Sequence, residues 1–314
     1  MTVAPAAVGK LVVVGVGLIG GSFALALKAA GAVGEVVGVG RSRANLDAAL
    51  AHGVCDRALT LDDAWTRELA TADVVLIATP VGELPALFAA IAPALGPATL
   101  VTDAGSTKQD VVAAARTAFG GSALARFVPA HPIAGTEHSG AAAAFATLYR
   151  DRNVVLTPVA ETDAAATARI AALWARCGAR VRLLDAATHD RIFAAVSHLP
   201  HVLAFALVDA LARRPEAEEL FRYAASGFRD FTRIAGSSPE MWRDVALANR
   251  DALLAELHAY RDALDDVTAR VAAADGAGLE ALFSRASAAR RKWEAERSGS
   301  VRVDAPGTGE DRGE

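Results

Sequence analysis

Five stretches of the chain hold more glycines, imidazoles, hydroxyls and cations than packing requires. Gly15, Gly17 and Gly20 stand at G-x-G-x-x-G spacing, and Asp103-Ala104-Gly105-Ser106-Thr107-Lys108 joins an acid, two hydroxyls and a lysine across a glycine. His131-Pro132-Ile133-Ala134-Gly135-Thr136-Glu137-His138-Ser139-Gly140 follows another apolar run. Ser197-His198-Leu199-Pro200-His201 and Gly227-Phe228-Arg229-Asp230-Phe231-Thr232-Arg233 complete the set. Imidazoles exchange protons near neutral pH, guanidinium groups meet carboxylates with paired hydrogen bonds, and a glycine loop opening a helix admits phosphates. Acid–base chemistry on a small molecule beside a dinucleotide is within reach of these groups.

The glycine spacing alone is weak evidence, but its context is the required one. Leu11-Val12-Val13-Val14 reads as a buried strand before it and Ser22-Phe23-Ala24-Leu25-Ala26-Leu27 as a helix after it, with a second strand at Glu35 to Val39. The glycines also set aside a secretory reading of the apolar run from Leu11 to Ala26. Gly15 permits the tight turn, Gly17 lets the backbone approach a pyrophosphate, and Gly20 lets helix pack on strand. Backbone N–H groups at the helix start, Leu18 and Ile19 among them, then face the phosphates. At the end of the second strand, NAD sites usually place an acid against the ribose 2′-hydroxyl. Gly40 stands there instead, followed by Arg41-Ser42-Arg43, and this favours NADP over NAD. The alternatives are Arg41 stacked on adenine in an NAD site and Arg43 facing solvent.

These segments must be positioned by something, and the periodicity says what. Apolar runs at Lys10 to Gly15, Glu35 to Val39, Asp73 to Thr79, Thr99 to Asp103, Arg126 to Ala130, Asn153 to Pro158 and Arg180 to Leu184 alternate with helical stretches. That is the pattern of βαβ units around a parallel sheet, and an α/β, Rossmann-type domain is expected over residues 1–184. From Asp185 the β signals vanish, and residues 185–297 read as a helical domain with breaks at Arg214-Pro215, Gly236-Ser237-Ser238-Pro239 and Gly276-Ala277-Gly278. Within it, Leu253, Leu254, Leu257, Leu264, Val267 and Val271 recur at helical spacing, and so many apolar stripes predict a homodimer. Residues 298–314 lack apolar anchors and are expected to be a disordered tail.

Composition narrows the partners. The 314 residues carry a formal charge of −4, so no global basic field exists to hold nucleic acid or an anionic membrane. Cys55 and Cys177 fall outside any ligand spacing and read as packing residues in a reducing, cytoplasmic compartment. No metal site is expected: His198 and His201 lie three apart, but no third ligand is evident.

Taken in order, Gly15-Val16-Gly17-Leu18-Ile19-Gly20-Gly21-Ser22, Ala78-Thr79-Pro80-Val81, Asp103-Ala104-Gly105-Ser106, His131-Pro132-Ile133-Ala134-Gly135, Ser197-His198-Leu199-Pro200-His201 and Asp230-Phe231-Thr232-Arg233-Ile234-Ala235 resemble the prephenate dehydrogenase family of tyrosine biosynthesis, which includes arogenate and cyclohexadienyl dehydrogenases. The resemblance runs to about residue 293 and implies an N-terminal Rossmann domain, a C-terminal helical dimerisation domain and a cleft between them. It implies oxidative decarboxylation of prephenate or arogenate, with an aromatic product and no metal. Thr79 and Pro80 join the cofactor-binding residues on this basis. His131 becomes the acceptor for the 4-hydroxyl proton, with a pKa near 6.5 if unperturbed, and Ser106 the residue that orients it. Arg233 partners the ring carboxylate, His201 contacts the pyruvyl side chain, and Thr136 and Glu137 belong to the substrate pocket. Gly40 departs from the commonest family pattern.

Plainer roles stay open for each. His131 can be a turn residue before proline, Ser106 a helix N-cap, and Arg233 an ion-pair partner of Asp230 or Glu137. His198 is assigned no direct role, Trp242 borders the cleft or fills the core, and His52, His189 and His258 read as ordinary helix residues. Two other functions fit the architecture. A β-hydroxyacid or imino-acid dehydrogenase would place Lys108 in the cleft as acid/base, and a non-catalytic dinucleotide-binding protein would keep only the glycine loop.

Overall fold

Apolar runs without polar alternation become strands covered on both faces, because neither side of the ribbon can be left in water. The computed structural model describes residues 8–136 and 138–299. Six strands form one parallel sheet: β1 Val8–Val14, β2 Val33–Gly40, β3 Arg57–Thr60, β4 Val74–Ile77, β5 Leu100–Asp103 and β6 Phe127–Val128. Their order is β3-β2-β1-β4-β5-β6, with Val14 beside both Val39 and Ile77. This is the doubly wound Rossmann arrangement, whose switch point lies between β1 and β4. Successive residues of the central strands feed opposite cores. Leu11, Val13 and Leu76 pack with Phe23, Leu27 and Trp174, while Val12, Val14, Val75 and Ile77 pack with Phe88 and Phe127.

Two departures from the expected sheet have local causes. The run expected as one strand from Arg126 to Ala130 divides at Pro129 into β6 and a new strand β7, Ala130–Pro132, which leaves the parallel sheet. Proline has no N–H to give a ladder, so the chain changes sheets there. β7 pairs antiparallel with β8, Asn153–Leu156, which pairs parallel with β9, Arg180–Leu183. β3 was not expected because an edge strand of Arg-Ala-Leu-Thr has no apolar run.

Asp185 opens the helical region by accepting the Thr188 N–H at 2.9 Å. A continuous run follows: an α-helix at Ala186–Phe193, a π-turn at Ala194–His198 and an α-helix at Leu199–Ala212. Pro200, lacking an N–H and crowding the carbonyl one turn back, accounts for the widened turn. By length and composition this run is apolar enough to cross a membrane, and Ile192, Val196 and Leu207 on it are exposed. Further helices at Ala217–Arg222, Ser226–Thr232 and Pro239–Ala248 follow.

The chain divides into two compact units after Glu256, inside the helix Arg250–Ala272. The second unit contains the rest of that helix, a turn at Ala274 with φ +52°, and the helix Gly276–Gly299. The break falls just before Gly276 because Asp275 accepts the Gly278 N–H at 2.9 Å and starts the next helix. That helix passes through residues 298 and 299, which were expected in the tail; residues 300–314 lie outside the described residues.

Candidate active site

The turn after β1 is shaped for a close ligand. Gly15 has φ +96°, and a Cβ there would stand 2.5 Å from the Ala78 carbonyl oxygen at the end of β4. Gly20 brings the helix Leu18–Ala29 against the sheet, since a Cβ on it would strike the Gly15 carbonyl and Val13. Gly17 differs: a Cβ there would meet nothing within 4 Å, so the helix entrance opens onto free space. That helix has no side-chain cap and no acid in its first turn. Its leading N–H groups, from Leu18 and Ile19, therefore keep their donors and the positive end of the dipole for an anion. Beside them, the buried Thr79 hydroxyl has no hydrogen-bond partner among the described residues, and Pro80 starts a short 3₁₀ turn at Val81–Glu83. An orphaned hydroxyl, an open helix entrance and a positive-φ glycine at the switch point fit a dinucleotide.

At the far end of β2, Gly40 packs near Leu46 and no acid takes its place. Ser42 caps the helix Arg43–Ala51 by accepting the Asn45 N–H at 3.3 Å. Arg41 is exposed and pairs with Glu83 at 3.1 Å, whereas Arg43 pairs with Asp47 along its own helix. Glu83 was not expected at this site.

The second cluster is built where β5 and β7 end. Asp103 and Lys108 form a fully buried ion pair at 2.5 Å, with Asp103 also accepting N–H groups from Gly105 and Ala130. Lys108 therefore sits in the wall and not in a cleft, which removes the support for the β-hydroxyacid or imino-acid dehydrogenase alternative. Ser106, half-buried in the same turn, does not cap the helix Gln109–Ala118. The cap comes from another element: the Asp190 carboxylate accepts the Lys108 and Gln109 N–H groups at 2.8 and 2.9 Å.

His131, on β7, is joined to this wall through a second histidine. Its Nδ1 lies 2.8 Å from His189 Nε2, and His189 Nδ1 lies 2.8 Å from Asp190 Oδ1. His189, read from the sequence as an ordinary helix residue, is completely buried and meets His131 directly. Its helix turns His189 and Asp190 inward beside Phe193 while Ile192 faces out, so two polar residues are buried where hydropathy alone would put an isoleucine. The Phe193 ring lies 4.9 Å from that of His131 and 4.5 Å from that of His189. Burial first, and then the neighbouring His189, Lys108 and His198, push the His131 pKa well below the ordinary value. The sequence expectation of an ordinary imidazole pKa is corrected accordingly. No hydrogen bond to His131 Nε2 is present among the described residues.

Across the helical region, His198 is buried, with its pKa pushed down to about 4 chiefly by burial, and Asn249 Nδ2 stands 3.1 Å from its Nδ1. His201 donates from Nδ1 to the Ser197 carbonyl at 2.8 Å and stacks on Trp242 with ring centroids 3.6 Å apart. Burial, and secondarily the charge of Arg233, keep His201 below its usual pKa. Arg233 opens a 3₁₀ turn, Arg233–Gly236, and is exposed. Thr136 is exposed and accepts the His138 N–H at 3.2 Å; Glu137 lies outside the described residues. His52 and His258 are exposed helix-end and helix residues. Among the described residues, no group of three or more His, Cys, Asp or Glu side chains is placed to hold a metal ion.

Comparison with known proteins agrees with this assembly. Residues 23–183 match the family model described as prephenate dehydrogenase, nucleotide-binding domain, and residues 185–285 the model for the prephenate dehydrogenase dimerization domain. A cyclohexadienyl dehydrogenase from Zymomonas mobilis is 37% identical over 286 residues, covering 89% of this chain and 94% of that protein. The crystal structure of prephenate dehydrogenase from Aquifex aeolicus in complex with hydroxyphenyl propionate and NAD+ superposes with a TM-score of 0.84 at 32% identity, covering 93% of this chain and 99% of that one. Synechocystis arogenate dehydrogenase gives 0.74 at 31%, covering 90% and 99%. A nucleotide-binding Rossmann domain, a helical domain of the dimerisation type and relatives of this identity over nearly the whole length place the chain in the prephenate dehydrogenase family, as an NAD(P)-dependent dehydrogenase.

Proposed function

We propose that the chain converts prephenate to 4-hydroxyphenylpyruvate, and accepts arogenate as a second substrate, with His131 as the proton acceptor. The observation that carries this assignment is the His131 side chain itself: its pKa is pushed down by burial, its Nδ1 is fixed by His189 at 2.8 Å, and its Nε2 is hydrogen-bonded by none of the described residues. A bound nicotinamide dinucleotide supplies the two-electron acceptor for the C4–H bond. As those electrons leave, His131 Nε2 takes the 4-hydroxyl proton. The ring carboxylate then departs as CO2, its bonding pair aromatises the ring, and His131 returns the proton to the phenolic oxygen. No net proton is consumed. Ser106 orients the hydroxyl and His131, and the Arg233 guanidinium holds the ring carboxylate. His201 and Thr136 border the side chain, with Glu137 assigned to the same pocket. The charge of Arg233 felt by His201 supports a shared pocket for the two.

Gly15, Gly17, Leu18, Ile19, Gly20, Thr79 and Pro80 would hold the nucleotide, with Arg41 and Ser42 at its 2′-position. The preference is for NADP, supported by the missing acid at Gly40 and the cations that follow it. The enzyme is a cytoplasmic homodimer, paired through the exposed apolar faces of residues 185–297, with residues 1–184 as the nucleotide domain. The test is a four-way assay of prephenate and arogenate with NAD and NADP, read at the reduced-nicotinamide absorbance band. Turnover of prephenate, faster with NADP, is expected. Absence of turnover with either substrate overturns the assignment.

A further inference from the structure

A carboxylate only accepts hydrogen bonds, and that fact propagates through two imidazoles. Asp190 receives the Lys108 and Gln109 N–H groups and faces His189 Nδ1 at 2.8 Å. Burial raises its carboxyl pKa, but the His189 contact and the two backbone donors outweigh it and hold Asp190 ionised. His189 must therefore carry its proton on Nδ1. Burial, the larger effect, and the Lys108 charge keep that ring neutral despite Asp190, leaving Nε2 as a lone pair. The partner 2.8 Å away, His131 Nδ1, must then be the donor, and the lone pair of His131 is forced onto Nε2.

We propose that His189 and Asp190 are positioning residues that lock His131 in the Nδ1–H tautomer, so that its basic nitrogen always faces the substrate hydroxyl. The inference rests on the assignment of His131 as the proton acceptor. Asp190 does not take up the proton; it fixes orientation, as a buried carboxylate does behind other catalytic imidazoles. Phe193, in ring contact with both histidines, restrains the same orientation sterically. The charged and titratable groups around the chain are Lys108 and Asp103 from the β5 turn, His198 from the π-turn and Asp190 itself. Asn249 ties the Asp190 carbonyl to His198, joining the last of these to the same frame. The sequence showed only a His-Asp pair in a helix. Its signal was two polar residues on the face that also carries Phe193.

Long-range ¹H–¹⁵N spectra of histidine-labelled enzyme test this directly, with the His131 signals assigned by their loss in His131→Asn. Wild-type His131 is expected as the Nδ1–H tautomer at pH 7.5. An Nε2–H tautomer overturns the proposal without any variant having to fold. In His189→Phe, which keeps the ring but removes the acceptor, His131 is expected to revert toward Nε2–H. There kcat should fall about 10²-fold with KM for prephenate nearly unchanged, since a misplaced proton costs the base its function. His189→Gln restores an acceptor and should recover most of that loss. A folded His189→Phe enzyme that keeps the Nδ1–H tautomer and wild-type kcat overturns the positioning role while leaving His131 as base untouched. His131→Asn with normal kcat would instead overturn the base assignment, and this inference with it.

Discussion

A neutral imidazole accepts a proton only above its own pKa, and burial pushes down the pKa of the half-buried His131 and of the buried His189 and His198. For His131, burial sets the direction, so the acid limb of kcat on prephenate should lie well below pH 6.5, with the rate rising through that depressed pKa and flat at neutral pH. A limb at or above 6.5 in stopped-flow measurements would show that burial does not lower the His131 pKa. The same burial has a consequence for stability. His198 titrates at about 4 when folded, whereas the unfolded chain takes up that proton near 6.5. Its contribution is present above pH 6.5 and lost as pH falls, reaching about 2 kcal/mol at pH 5. Denaturant titrations at pH 7.5 and 5 should show that drop, and His198→Gln should shrink it. Arg41 and Arg233 are the residues proposed to act on ligands. Arg41→Ala should raise the NADP KM selectively, through loss of a charge-assisted contact of about 1.5–3 kcal/mol. Equal changes for NAD and NADP would remove Arg41 from the 2′-position. Arg233→Ala should raise prephenate KM by roughly two to three decades with a smaller fall in kcat, because the ring carboxylate is already an anion in the ground state.

Elements bring these side chains together by exchanging caps and crossing sheets. The helix Gln109–Ala118 is capped not by its own turn but by Asp190, more than eighty residues on. Asp190→Ala leaves the buried Lys108 N–H and the partly buried Gln109 N–H without a charged acceptor and should cost about 2–4 kcal/mol in denaturant unfolding. What was legible in the sequence follows from the same physics. Runs such as Val74-Val75-Leu76-Ile77 and the glycines at 15, 17 and 20 announce buried strands and a nucleotide turn, because hydropathy and backbone freedom are local properties. His131 and Arg233 stood out by motif resemblance. The division at Pro129 was visible only as a proline within an apolar run. His189, Asp190, Asn249 and the Asp103–Lys108 pair were not legible as a unit, since each is polar and each is satisfied by a partner distant in sequence.

At the scale of the molecule, a single copy leaves apolar surface that the fold does not cover. In the first unit Val196, Leu207, Phe221 and Phe231 are exposed; in the second, considered by itself, Leu264, Val271, Phe283 and Trp293 are. The proposed homodimer would bury helical stripes of this kind. Sedimentation equilibrium at micromolar concentration should return a dimer, and Leu207→Glu should shift it toward monomer. The central claim, a half-buried neutral histidine acting as proton acceptor in a dehydrogenase of this family, is tested most directly by steady-state kinetics of His131→Asn beside wild type, with nucleotide affinity measured separately. The account predicts that kcat on prephenate falls about 10²–10⁴-fold while nucleotide binding stays within a few-fold of wild type. A folded His131→Asn enzyme with wild-type kcat would contradict it.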